Sequence, residues 1–326
     1  MTTARFSGAP LRGSPGPSGP DVGRRELGDW ATRELAAAGC VSARAEADWL
    51  LEEAVDEESL RAMVARRVAG EPLQYVIGWA PFGPLRLAVG PGVFVPRPET
   101  EGLADRAATR LRSRPEPAEG SGEPQGGAPV GREGSGEPQG GAPVDREGSR
   151  GPRGGAPVRR VAVDVCTGSG AIACFLAAEV PGARVLATEL DPGALAWARR
   201  NADRYGVELL AGDLDEPLPA ALAGRVDVLC ANVPYVPSGA IATLPTDVRD
   251  HEPRLALDGG PDGLDVLRRL VARAGHWLAP GGGLLCEIGE DQAATGVALL
   301  TAAGLVEVAV HPDLVGRDRI LEGTHP

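Results

Sequence analysis

Directly after the apolar run Val161 to Val165, and directly before Ala171-Ile172-Ala173, the chain reads Cys166-Thr167-Gly168-Ser169-Gly170. Glycines at such a strand-to-helix junction let the backbone approach a ligand at the carboxyl end of the strand, where open α/β sheets bind theirs. The spacing Gly168-x-Gly170-x-x-Ala173 also satisfies a relaxed dinucleotide fingerprint, and Glu189, nineteen residues after Gly170, could hold a ribose in either case. The loop alone therefore predicts nucleotide-type binding and leaves the nucleotide open. Glu189 closes the next predicted strand and Asp213 the one after, which brings both acids to the same sheet edge as the loop. One carboxylate that receives two ribose hydroxyls, and another near an adenine amino group, suit S-adenosylmethionine. The plainer reading of such acids is capping. Asp191 before Pro192 reads as a helix-start acid, and Asp213 could cap a short turn.

The sharpest motif follows the fourth predicted strand: Asn232-Val233-Pro234-Tyr235, then Val236-Pro237. It resembles the Asn-Pro-Pro-Tyr signature of amino methyltransferases, which act on exocyclic adenine nitrogen or on glutamine amide nitrogen. An amide NH2 has a delocalised lone pair, so a site that methylates it must orient the nitrogen and favour its pyramidal form. The Asn232 side-chain carbonyl and the Val233 backbone carbonyl can accept the two hydrogens, and the Tyr235 ring can pack on the flat group. Val233 stands where the signature has proline. Preceding Pro234, it is still pushed toward an extended backbone, although a fixed φ is lost and a free N–H gained.

These residues need elements to position them. Short apolar strands alternate with helices: strands over Val161 to Val165, Arg184 to Thr188, Glu208 to Ala211, Val226 to Cys230 and Gly283 to Ile288, and helices over Ala171 to Ala178, Gly193 to Tyr205 and Leu264 to Leu278. A helix near Ala293 to Ala303 and two closing strands, Val306 to Val310 and Arg319 to Leu321, complete the pattern. Such alternation predicts a mostly parallel sheet with helices on both faces. Upstream, Leu60, Met63, Val64 and Val68 recur at helical spacing, and Trp30 with Leu35 and Trp49 with Leu50 do so less completely, which predicts a small bundle in which Trp49 and Met63 are core. Pro81 to Val95 reads as a hairpin, and Pro96-Arg97-Pro98-Glu99-Thr100-Glu101 as a helix start. Between them and the sheet, a fourteen-residue unit centred on Gly-Gly-Ala-Pro-Val occurs three times from Glu119 to Arg160, too short and too polar to bury a core, and reads as a disordered linker.

Three further segments resemble landmarks of the protein-(glutamine-N5) methyltransferase family of the HemK or PrmC type: Gly70-Glu71-Pro72-Leu73-Gln74-Tyr75-Val76-Ile77-Gly78, Val95 to Glu101, and His251-Glu252-Pro253-Arg254-Leu255-Ala256-Leu257 leading to Gly259-Gly260-Pro261-Asp262-Gly263-Leu264. The resemblance spans about Val41 to Leu321 apart from the repeats. Cys166 in place of the family's usual glycine, Val233, and a shortened stretch between Val55 and Leu60 mark a divergent branch. Membership implies an α/β, Rossmann-like class I methyltransferase fold with a seven-stranded sheet and a small amino-terminal helical domain. It also implies the order of segments: a disordered tail to residue 23, a helical substrate-recognition domain over 24–78, a hairpin linker and first catalytic helix over 79–113, the repeat linker over 114–159 and the methyltransferase domain over 160–326. By resemblance, Cys166, Thr167, Gly168, Ser169, Gly170, Glu189, Asp213 and Leu214 line the S-adenosylmethionine site together with Asn232, while Asn232, Val233, Pro234 and Tyr235 hold the acceptor amide. The implied substrate is a protein glutamine, with peptide chain release factors the best-known targets.

Composition narrows the partners. The 326 residues carry 45 acidic and 33 basic side chains, a net charge of −12, and all the basic residues are arginine. Nucleic-acid binding usually needs a basic face, so an exocyclic-amine methyltransferase acting on nucleic acid is the disfavoured alternative, and an inactive cofactor-binding partner module the other. Five scattered cysteines predict reduced thiols and no metal site. No apolar run suggests a signal sequence or a membrane span, so the expectation is a cytoplasmic monomer with neither a stable nucleic-acid nor a membrane partner.

Overall fold

A computed structural model describes residues 20–114, 160–313 and 315–326. The tail before residue 20 and the repeat linker after residue 114 lie outside the described residues. Four helices come first: α1 (Pro20–Ala37), beginning inside the stretch read as tail, α2 (Ala43–Glu53), α3 (Glu57–Val68) and the short α4 (Leu73–Ile77). The start of α3 follows from a capping box, in which the Asp56 carboxylate accepts from Ser59 N–H and the Ser59 hydroxyl accepts from Asp56 N–H. Leu35, Leu50, Leu60 and Val64 close a small core among these helices, and Trp49 stacks on Trp79 with ring centres 5.4 Å apart. Val68, expected on the buried stripe, is exposed because α3 ends there.

A hairpin of β1 (Trp79–Phe82) and β2 (Leu85–Ala88) leads to α5 (Pro98–Ser113), whose first turn carries Pro98 and Glu99. The sheet follows: β3 (Val161–Val165), α6 (Ala171–Glu179), β4 (Arg184–Glu189), α7 (Pro192–Tyr205), β5 (Glu208–Ala211), β6 (Val226–Ala231), the one-turn α8 (Thr246–Arg249), α9 (Asp265–Trp277), β7 (Leu278–Glu287), α10 (Ala293–Ala302), β8 (Val306–Pro312) and β9 (Asp318–Thr324). The seven strands lie in the order β5-β4-β3-β6-β7-β9-β8. The five from β5 to β7 run parallel and β9 is antiparallel to both its neighbours. Strand β3 is buried along its whole length, and α6 is apolar all round because it is wedged between the sheet and α5. Chain order reverses between β3 and β6, so a crevice opens there at the carboxyl ends of the strands.

The last strands are longer than the sequence pattern marks. Strand β7 starts five residues before Gly283, pairs Val226 with Leu278, and shifts register before Gly283 pairs with Val228. Gly281 to Gly283 break the apolar signal there, and regular pairing with β6 resumes at Gly283. Among the described residues, no helix is long and apolar enough to cross a membrane.

Candidate active site

At the switch point the loop after β3 turns through left-handed conformations at Cys166 (φ 57°), Gly168 (φ 58°) and Gly170 (φ 85°). Cys166 is a non-glycine residue in a region that favours glycine, which gives the physical reason why glycine would be the easier occupant. The loop is tied from three sides. Thr167 N–H donates to Thr188 O at 3.0 Å, Asn201 Nδ2 donates to Ser169 O at 2.8 Å, and Gly168 N–H donates to Glu189 Oε2 at 2.8 Å. The other Glu189 oxygen accepts from Asp191 N–H at 2.8 Å. Burial raises the Glu189 carboxyl above its ordinary range, and these backbone donors pull it back.

Beneath the loop lies Asp164, which sequence reading treated only as the end of an apolar run. Fully buried on β3, it accepts from the Thr167 hydroxyl and, at 3.1 Å, from Ala173 N–H in the first turn of α6. Among the described residues its other oxygen has no hydrogen-bond partner, and burial pushes its carboxyl up to about 7. A carboxylate in a run of valines is the signal that could have found it, since ionisable groups are rarely buried without a task. Asp164 pins the loop to the helix behind it.

Across the crevice, Asn232 and Tyr235 follow β6. Asn232 Nδ2 donates to Thr100 Oγ1 at 3.1 Å, Thr100 donates to Glu287 Oε2 at 2.6 Å, and the Tyr235 hydroxyl donates to Glu287 Oε1 at 3.1 Å. Thr100 comes from the first turn of α5 and Glu287 from the end of β7, and sequence reading assigned neither a role. Burial pushes Glu287 above the ordinary carboxylate range, while Thr100, Tyr235 and Arg319 work against it. Burial and the nearby Glu287 raise the Tyr235 phenol well above its usual range, so it stays a donor. Gln292 Nε2 donates to Tyr235 O at 2.9 Å. The Gly259 to Gly263 segment packs backbone to backbone on the same motif. A Cβ at Gly263 would lie 2.2 Å from Tyr235 O, and one at Gly259 would lie 2.6 Å from Pro234 O, so only glycine fits.

An open cleft takes in both halves of the site. It is lined by Cys166 to Ser169, Glu189, Asp213, Leu214, Asn232, Pro234 and Tyr235, and also by Phe94, Arg97 and Thr100. Two of the sequence candidates sit differently from the rest. Val233 is 2% exposed and does not line the cleft, because its side chain packs in the core that also holds Leu267 and Leu270 of α9. Gly170 lies behind the lining as the cap of α6, with Cys174 and Ala198 close by. Asp213 lines the cleft already paired with Arg269 at 2.7 Å, and Leu214 adopts φ 47° to turn the chain beside it. Arg97 lies over the Phe94 ring at 4.6 Å and pairs with Glu252 at 2.7 Å. Buried Glu252 is pushed up to about 7 even so. Burial also raises the thiols of Cys166, Cys174, Cys230 and Cys286, so none of them is a thiolate nucleophile at neutral pH.

The residues present fit a nucleoside sulfonium: a loop of left-handed turns, an acid at the end of β4, a second acid after β5 and a largely apolar wall. Sheet order and site together define a class I S-adenosylmethionine-dependent methyltransferase. A family model described as a methyltransferase domain matches residues 162–249. The chain is 37% identical over 312 residues to the release factor glutamine methyltransferase of Mycolicibacterium smegmatis, covering 90% of this chain and 95% of that protein. To the protein of the same name in Geobacter sulfurreducens it is 34% identical over 319 residues, covering 92% and 95%. The chain belongs to the release factor glutamine methyltransferase family.

Proposed function

We propose that this chain transfers a methyl group from S-adenosylmethionine to the side-chain amide nitrogen, N5, of a glutamine in a peptide chain release factor in the cytoplasm. The observation that carries the reading is the cleft in which Asn232 and Tyr235 face the cofactor-side loop and Glu189 across one shared space. Bound S-adenosylmethionine supplies an electrophilic methyl on a sulfonium. Glu189 and Asp213 would hold its ribose and adenine, and the loop from Cys166 to Gly170 would close on the rest. On the acceptor side, the Asn232 side-chain carbonyl and the Val233 backbone carbonyl accept the two amide hydrogens, and Tyr235 packs on the flat amide. Bonding both hydrogens favours a pyramidal nitrogen whose lone pair is aimed at the methyl. The N–C bond forms as the S–C bond breaks, and the nitrogen then gives up one proton to solvent. Sequence names of the relatives support the substrate, since they are release factor glutamine methyltransferases. The helical segment before residue 78 would then meet the protein partner.

Peptide mass analysis of release factors from cells with and without the gene tests the reading, and a glutamine that loses one methyl group in the deletion is the expected result. Asn232→Ala should lower single-turnover methylation by about 10²–10³, the usual effect of removing one preorganised polar partner, with cofactor affinity changed less than about tenfold. Methylation by Asn232→Ala at the wild-type rate would overturn the amide assignment, as would methyl label from the cofactor recovered in nucleic acid and absent from protein.

A further inference from the structure

Asn232 can serve the acceptor only if its amide faces the right way, and an amide has two nearly isosteric orientations. The hydrogen bonds behind it fix the choice. Glu287 is 2% exposed, and its two oxygens accept from Thr100 Oγ1 at 2.6 Å and from the Tyr235 hydroxyl at 3.1 Å. A hydroxyl carries one proton, so with Thr100 donating to Glu287 that proton is committed there. Toward Asn232, Thr100 can then only accept, and it does so from Nδ2 at 3.1 Å. With its NH2 held on that side, the Asn232 carbonyl oxygen is left on the other. We propose that Glu287, acting through Thr100, is the positioning residue that sets the orientation of Asn232, so that an acceptor and not a donor is presented to the incoming NH2 group. The same carboxylate holds the Tyr235 ring by its hydroxyl. Three elements far apart in the chain, the start of α5 and the ends of β6 and β7, are needed to build this relay.

Its consequence for turnover rests on the glutamine-amide reading; the polarity itself does not. Two measurements separate them. In protein labelled with 15N-asparagine, with the Asn232 side-chain signal assigned by its loss in Asn232→Ala, the NH2 protons should show a nuclear Overhauser contact to the Thr100 methyl. Glu287→Leu keeps Thr100 and places an apolar group in a buried position, yet it frees the Thr100 proton to point at Asn232. The contact should therefore disappear in Glu287→Leu although both partners remain. Turnover on the release factor should fall about 10²-fold in Glu287→Leu and in the nearly isosteric Thr100→Val, with cofactor affinity within about threefold of wild type, whereas Thr100→Ser, which restores the hydroxyl, should recover most of the activity. A contact that persists in Glu287→Leu, or wild-type turnover in both Glu287→Leu and Thr100→Val, would overturn the relay. Should the wild-type chain not methylate a release-factor glutamine at all, the glutamine reading fails, and the Overhauser comparison still decides the polarity.

Discussion

Glu189 stands between two backbone donors, and that arrangement makes its replacement by glutamine more informative than its removal. One oxygen accepts from Gly168 N–H and the other from Asp191 N–H, each at 2.8 Å. A carboxylate satisfies both. Glutamine offers one oxygen and one NH2, so whichever way it turns, a donor faces a donor. The variant loses one charge-assisted hydrogen bond, worth about 1.5–3 kcal/mol, and leaves one partly buried N–H unpaired at a comparable cost. Part of that loss falls on the loop from Cys166 to Gly170, because Gly168 N–H is one of its tie points. Glu189→Gln should therefore bind S-adenosylmethionine about 10- to 100-fold more weakly than wild type, no better than Glu189→Ala, for which roughly 1.5–3 kcal/mol is also expected. If the side chain served only to receive ribose hydroxyls, glutamine would keep an acceptor and most of the affinity. Titration calorimetry on the three proteins separates the cases, and a Glu189→Gln affinity within threefold of wild type would refute the reasoning.

Two further outcomes follow from groups away from the acceptor. Asp164 ionises near 3.8 in the unfolded chain but at about 7 when buried, so its neutral form favours the fold: that contribution is fully present below about pH 4 and is lost as pH rises through 7. Asp164→Asn should flatten the thermal stability profile over pH 4–7 by on the order of 1 kcal/mol per pH unit, and parallel profiles for the two proteins would contradict this. Arg160 Nε already donates to Arg114 O at 3.1 Å, so the flanks of the repeat insert touch. Deleting Glu119 to Gly155 should leave cofactor affinity unchanged and the melting temperature equal or slightly raised, since each halving of a loop favours closure by only about 0.6 kcal/mol; a melting temperature lower by more than a few degrees would count against it.

Much of this architecture is legible in the chain because local pattern and global fold agree. The parallel strands read as short apolar runs since both their faces are covered, and the edge they share puts Glu189, Asp213 and Asn232 together with no knowledge of side-chain geometry. What pattern could not deliver is the layer behind those residues. Thr100 sits in a Pro-Glu-Thr-Glu stretch that helix-start chemistry explains fully, so nothing marks its hydroxyl as part of a site. Asp164 and Glu287 do carry a mark, a carboxylate inside a buried strand, but periodicity treats one polar residue in an apolar run as noise. Pairing decides their partners, and pairing joins Glu287 to Thr100 across 187 positions of sequence.

The departures from the family signature gain a physical reading from the same layer. Val233 replaces a ring with another apolar body whose side chain is buried in the core that also holds residues of α9, so the exchange is felt by packing. Cys166 holds a left-handed turn at a cost on the order of 1 kcal/mol relative to glycine, and its side chain recovers part of that by packing on the core under the loop. Those side chains that must meet the reactants are the ones tied to the buried Glu287, Tyr235 directly and Asn232 through Thr100, and a change at either would be transmitted to a carboxylate that is 2% exposed.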